Sequence, residues 1–279
     1  MRVGEGNGAF MFRVGTTSYI LPDDILPNVE YLASRVDDVE LVLFETDEHG
    51  GNLPDAALRG RLAALAEVHD LTYTVHLPLD LRLGDGGAAT DLSLVKARRV
   101  IEATCDLHPY AYTAHLDGVL LMQNPTAAEL ASWQANALDA LETVLDWLDR
   151  PELLCIENIE RWDPGAFAPV VDALPVGLTA DVGHFWLQGA DPLAFLERWA
   201  GRVRVVHLHG IAARDHASLA HVPAERLDPV VDYLLQRFQG VLTLEVFNRD
   251  DFESSLEALQ ASLGRVTGGV DHSRRDAGH

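Results

Sequence analysis

Histidine and carboxylate residues close a series of short apolar runs in this sequence. His76 ends TYTVH and His115 ends AYTAH. Glu157 ends LLCIE, and Asp181 ends GLTAD with His184 three residues on. His207 and His209 end VRVVHLH, Glu245 ends VLTLE, and Glu45 ends VELVLFE. Several carboxylates converging in one place repel each other and lose hydration, and a divalent cation relieves both penalties. Imidazole mixed with carboxylate suits zinc, manganese, iron or cobalt, whereas magnesium prefers oxygen alone. The segment GIAARDHASLAHVP adds Asp215, His216 and His221 as further candidate ligands. His49, His69, His108, His272 and His279 stand away from the runs and receive no role.

The runs are strand-like, and they must hold these side chains together. Eight occur: 12–15, 39–45, 71–77, 110–116, 153–159, 177–181, 203–209 and 241–247. Helical spacing of apolar residues fills the intervals, most clearly over 56–68, 127–148 and 254–263. Eightfold strand–helix alternation predicts a single-domain (β/α)8 TIM barrel, whose chemistry gathers at the C-terminal strand ends. An open doubly wound sheet wants a glycine-rich loop after its first strand, and GTTSYILPDD has none. Side chains alternate along a strand, so the residues two places earlier share a face with the ring. Those are Leu43, Thr74, Thr113, Cys155, Thr179, Val205 and Thr243, a compact layer expected beneath it. The barrel is expected over 12–264, with an extension at 1–11 and a polar, glycine-rich, loose tail at 265–279.

Among 279 residues, 43 are acidic and 21 basic, a net charge of −22. Nucleic-acid binding needs a basic face to displace counterions from phosphates, so a nucleic-acid partner is not expected. Docking on anionic lipid is disfavoured for the same reason. No run of 18 apolar residues is present, and MRVGEGNGAF lacks the apolar stretch of a signal peptide. Two cysteines, Cys105 and Cys155, make no disulfide framework, and a cytoplasmic setting is expected. Tyr19, Trp162, Phe185, Trp186 and Phe247 lie near the presumed mouth, where aromatic faces would flank a large flat ligand. Trp133 and Trp147 sit on a helical stretch and read as core.

The ordered set His76, His115, Glu157, Asp181–x–x–His184, His207, Glu245 resembles the xylose isomerase-like superfamily and, within it, apurinic endonuclease family 2 of the endonuclease IV type. The resemblance spans about residues 12–262. It implies up to three metal ions. His76, His115 and Glu157 would hold the first, and Glu157, Asp181, His207 and Glu245 the second. His184 would hold the third, with an aspartate and a histidine from the loop after strand seven. The family separates those two by one residue; here Asp215 and His216 are adjacent and His221 is a rival. The segments FRVGTTSYILPDDILPNV, LTYTVHLPLD, ADVGHFW, VVHLHG and RDHASLAHVP are similar to the cobamide-remodelling phosphodiesterases. That similarity implies a corrinoid substrate and hydrolysis of its nucleotide-loop phosphodiester to cobinamide phosphate and an α-riboside. Glu157 would steer the attacking water, and His209 would pass a proton to the leaving group. Glu45, Trp162, Trp186 and Phe247 would contact substrate. A single-metal sugar isomerase or epimerase, built on Glu157, Asp181, His207 and Glu245, is the alternative, followed by a non-catalytic corrinoid- or metal-binding protein.

Overall fold

The computed structural model describes residues 11–46, 50–161 and 163–273. In chain order the elements are β1 (Arg13–Thr17), α1 (Ile25–Leu32), β2 (Asp38–Val42), the short strands β3 (Glu45–Thr46) and β4 (Gly50–Gly51), α2 (Ala56–His69), β5 (Thr72–His76), α3 (Gly87–Thr104), β6 (Ala111–His115) and α4 (Ala127–Leu145). They continue with β7 (Leu154–Glu157), α5 (Pro164–Ala173), β8 (Gly177–Asp181), α6 (Val182–Leu187), α7 (Pro192–Arg198), β9 (Val203–Leu208), α8 (Ala224–Arg237), β10 (Val241–Leu244) and α9 (Arg249–Ser273). Eight of the strands close into a barrel in the order β1-β10-β9-β8-β7-β6-β5-β2, and β3 and β4 form a separate antiparallel ribbon. Every neighbouring pair in the barrel is parallel, as the strand–helix alternation requires.

Strand parity divides the interior in two. Leu41, Val75, Ala114, Ile156, Val206 and Leu242 face outward into the apolar layer beneath the helices. Fully burying one of the Val, Leu or Ile side chains among them contributes roughly 1.5–3 kcal/mol. Ala111, Cys155 and Val205 face inward and form their own small cluster inside the cylinder. Thr74, Thr113, Thr179 and Thr243 join that inner layer, all fully buried, and the hydroxyls of Thr113 and Thr179 lie 3.0 Å apart. The compact layer beneath the ring is therefore present, with one exception. Leu43 does not belong to it, because β2 stops at Val42.

Local chemistry fixes the helix starts. Thr126 accepts from the Glu129 amide while the Glu129 carboxylate accepts from the Thr126 amide, a reciprocal cap on α4. Asp55, Asp163 and Asp191 cap α2, α5 and α7 by the same kind of bond.

Two boundaries differ from expectation. The second strand occupies Asp38–Val42 instead of 39–45. Asn52 accepts from the Phe44 amide and donates to the Val42 carbonyl, so a side chain replaces the ladder there and Glu45 starts the outer ribbon. At the other end, α9 runs to Ser273, into the stretch expected to be loose. Arg265 anchors that helix through Asp228, with bonds of 2.8 and 2.6 Å, and the Thr267 hydroxyl folds back onto the Leu263 carbonyl. Residues 1–10 and 274–279 of the expected extension and tail lie outside the described residues. Among the described residues, no helix is long and apolar enough to cross a membrane.

Candidate metal centre

The C-terminal rim of the barrel brings the predicted ring together. Its donors fall into three groups, and within each group the ligating atoms lie within 4.8 Å of one another. The first is His76, His115 and Glu157; the second is Glu157, Asp181, His207 and Glu245; the third is Asp181, His184, His209 and His216. Glu157 belongs to the first two and Asp181 to the last two, so the groups form one connected chain.

Strand register builds this chain. His115 and Glu157 are paired across β6 and β7, and Asp181 and His207 across β8 and β9. One oxygen of Glu157 lies 3.3 Å from Nε2 of both His76 and His115, and the other lies 3.0 Å from Nδ1 of His207. Glu245 follows β10 and reaches the same His207 nitrogen at 3.2 Å. Asp181 is also the N-cap of α6, accepting from the His184 amide, so the cap that starts the helix brings His184 beside it. Asn158 locks the corner, donating to the Asp181 carbonyl and accepting from the Asp181 amide.

Backbone carbonyls orient several imidazoles. Leu77 O, Asn158 O and Gly210 O stand 2.7, 3.1 and 3.2 Å from Nδ1 of His76, His184 and His209. A carbonyl can only accept, so each Nδ1 carries the hydrogen and Nε2 is left to ligate. Gly183 makes room for the His209 ring; a Cβ there would sit closer than 3.0 Å to three of its atoms.

The loop after β9 settles the third group. Gly210 and Ala217 bridge antiparallel, closing the loop on itself. His216 has φ of 49°, in the left-handed region that side chains seldom adopt. This lets its ring stack on His209 at 4.3 Å and bring Nε2 to 3.4 Å from Glu245. The adjacent Asp215 reaches the same group, 3.6 Å from His184 and 3.4 Å from His209. His221 is exposed on a 3-10 turn and stands outside all three groups.

Charges in the centre are strongly coupled. Burial disfavours a charged His76, but the hydrogen bond and charge of Glu157 outweigh it, and its pKa is raised to about 9. Burial likewise opposes charge on His216, and Glu245 carries its pKa to about 9. His207 is held well above its usual range against burial by Glu245, Glu40 and Glu157. Conversely, burial would raise Glu157 and Glu245, but the imidazoles beside each hold both well below the carboxylate range. Protons thus occupy places where cations belong. The donor set fits divalent metal: each group mixes imidazole with carboxylate, and Glu245 Oε2 is buried without a hydrogen-bond partner among the described residues.

Other expectations are corrected. Glu45 faces Arg99 at 2.7 Å on the outer ribbon, away from the ring. Trp186 is buried in the core beneath the Arg226 guanidinium, with no face open to a ligand. Phe247 does reach the mouth, 37% exposed and 5.3 Å from the His216 ring. Trp162 lies outside the described residues. His209, expected to pass a proton, is fully buried and lies among the four side chains of the third group. The sequence reading missed Glu40, which enters the barrel from β2 and stands 3.1 Å from His207 Nε2. The available signal was an acid inside an apolar run, VELVL, where a strand buried on both faces has no use for one.

A closed parallel barrel with imidazoles and carboxylates converging at its C-terminal rim is a (β/α)8 barrel whose donor clusters are able to hold metal. The chain belongs to the xylose isomerase-like TIM barrel family, whose profile matches residues 33–265. Among solved structures it is similar to a D-tagatose 3-epimerase-like protein, with 20% identity over 93% of this chain and 100% of that one, TM-score 0.75. It is also similar to endonuclease IV from Thermus thermophilus, with 20% identity over 91% and 99% of the two chains, TM-score 0.68. AP endonuclease, family 2, from Brucella melitensis aligns with 12% identity over 88% and 96%, TM-score 0.63. At these identities the likeness is one of fold. No curated protein matches the sequence.

Proposed function

We propose that the chain is a metal-dependent phosphodiesterase acting in the cytoplasm on cobamides, hydrolysing the nucleotide-loop phosphodiester to cobinamide phosphate and an α-riboside for salvage and remodelling. The observation that carries the phosphodiesterase reading is the linkage of three donor groups through Glu157 and Asp181. A phosphodiester is anionic at both non-bridging oxygens and resists attack, and a row of adjacent cation sites answers that difficulty. His76, His115 and Glu157 would hold one ion, Glu157, Asp181, His207 and Glu245 a second, and Asp181, His184, His209 and His216 a third, with zinc, manganese, iron or cobalt matching the donors. When bound, such ions supply Lewis-acid neutralisation of the phosphoryl oxygens and acidify water.

The residues do the rest. Glu157 presents one oxygen to the His76 and His115 pair and the other to His207, and aligns the nucleophile's line of attack. Asp215, partly exposed and outside the three donor groups, is better placed to exchange a proton with a departing ribose oxygen than the fully buried His209. Phe247 offers a ring face at the mouth beside His216. An open cleft of about 880 Å³ is lined among others by Tyr19, Pro22, Ile25, Phe44 and Leu53, and none of its lining residues belongs to the three donor groups. The cobamide assignment rests on the similarity of the rim segments to remodelling phosphodiesterases. The excess of 43 acidic over 21 basic residues supports a small-molecule substrate over nucleic acid or a membrane surface.

One observation favours a second reading. Glu157, Asp181, His207 and Glu245 by themselves form a fully buried four-donor site, as a single-metal sugar epimerase needs. Incubation with a cobamide and each metal, followed by mass spectrometry, separates the readings. The phosphodiesterase yields cobinamide phosphate and an α-riboside, and Glu157→Gln abolishes the products and depletes the ions of the first two groups, which share Glu157. Cobamide returned intact with every metal, while a ketose is epimerised by protein holding one ion, overturns the proposal. Intact cobamide that co-elutes with the protein also overturns it, in favour of a binder.

A further inference from the structure

We infer that Glu40 is the positioning residue of the central metal site, holding His207 in the tautomer that turns Nδ1 toward the ion. This inference rests on the metal-centre reading and is independent of which substrate the centre serves. His76, His184 and His209 turn Nδ1 to a backbone carbonyl and offer Nε2. His207 is reversed. Its Nδ1 stands 3.0 Å from Glu157 and 3.2 Å from Glu245, inside the second donor group. Its Nε2 points down the barrel, 3.1 Å from Oε2 of Glu40. Nε2 and both Glu40 oxygens form no aligned hydrogen bond among the described residues, so their 3.1 Å approach is an ion-pair contact, and both side chains are wholly buried.

A buried carboxylate without a partner carries a large desolvation penalty, so a Glu at this position needs a reason. Its neighbours on either side do not give one. Glu40 is in register with Thr17 of β1 and Thr74 of β5, whose uncharged hydroxyls make no ion pair. The only ion pair that Glu40 makes among the described residues is with His207. Glu40 is not itself among the donors of the three groups. With an ion bound at Nδ1, the ring's one remaining hydrogen lies on Nε2 toward Glu40, whose negative charge 3.1 Å away favours that tautomer and makes the Nδ1 lone pair more basic.

Metal binding tests this without any substrate, so failure here is distinguishable from failure of the phosphodiesterase reading. Native protein, Glu40→Gln and Glu40→Ala are titrated with Zn²⁺ against a competing chelator, and the zinc-loaded proteins are examined by ¹⁵N histidine NMR. Glu40→Ala is expected to weaken one of the bound ions about 10–100-fold and leave the others unchanged. Glu40→Gln keeps an acceptor oxygen and restores most of that loss. In the native zinc-loaded protein His207 shows a slowly exchanging proton on Nε2 and none on Nδ1, and the alanine variant loses the slow exchange. A native spectrum with the proton on Nδ1 overturns the inference whether or not the alanine variant folds. So does a folded alanine variant with unchanged zinc affinity.

Discussion

Replacing Gly183 by alanine adds one methyl group at the first turn of α6, and the structure says where it goes. The new Cβ would lie closer than 3.0 Å to Nδ1, Cε1 and Nε2 of His209, nearer than real atoms approach. The glycine backbone has no left-handed φ, so the conflict is with the ring alone. That ring is fully buried, held between the Gly210 carbonyl at 3.2 Å and Asp181 at 3.2 Å. Overpacking of this kind costs about 1–3 kcal/mol. For a chain of this size that is a fall of about 2–12 °C in melting temperature, at roughly 2–4 °C per kcal/mol. The functional loss is larger, because metal ligands tolerate displacements of only about 0.2 Å. Gly183→Ala should therefore lose the ion of the third group and retain those of the first two, read as metal per chain by elemental mass spectrometry after equilibrium with excess zinc. Adding His209→Ala to the same protein removes the clash, and should recover melting temperature without recovering the ion. Unchanged metal content together with an unchanged melting temperature would refute the claim that α6 positions His209 through this glycine.

His216→Ala should also remove the third ion, since it deletes one of that group's four donors and the contact to Glu245. His221→Ala, at an exposed turn, should change neither metal content nor stability beyond about 0.5 kcal/mol, and loss of an ion there would show the loop to be wrongly placed. In chelator, the pH dependence of stability follows from the coupled charges. His76 and His216, raised from 6.5 to about 9, stabilise the metal-free fold fully below about 6.5, and this contribution is lost as pH rises through about 9. Glu157 and Glu245, held below their usual 4.5, contribute above that value and lose it on acidification. The metal-free barrel should melt highest between about 4.5 and 6.5, and calorimetry across that range checks it. Metal affinity runs the other way, because ions displace protons from the same imidazoles; it should rise with pH until about 9, and a flat chelator titration between pH 6 and 8 would contradict this.

The barrel and most of the ring were legible in the chain itself. Alternation of buried strands with amphipathic helices is a local pattern, and the end of each strand is where its side chain meets the rim. His76, His115, Glu157, Asp181, His184, His207 and Glu245 all follow from that rule, and all seven lie in the three donor groups. What failed was whatever depended on a partner far away in sequence. Glu45 looked like a strand end, but Asn52 stops the strand at Val42 and leaves Glu40 as the inward acid. Trp186 looked like a rim aromatic, but α6 turns it into the core.

His209 sits at the end of β9, yet its role was set by Gly183 on α6, which gives it room, and by Asp181 on β8, which faces its nitrogen. The choice among Asp215, His216 and His221 was open because adjacent residues in extended chain point to opposite sides. The left-handed turn at His216, inside a loop closed by Gly210 and Ala217, decided it. Residue types and period determined that a cluster of donors would exist, because both are properties of a few consecutive residues. Which donors share an ion was fixed only when strand register and loop closure brought segments from distant parts of the chain within 4.8 Å of one another.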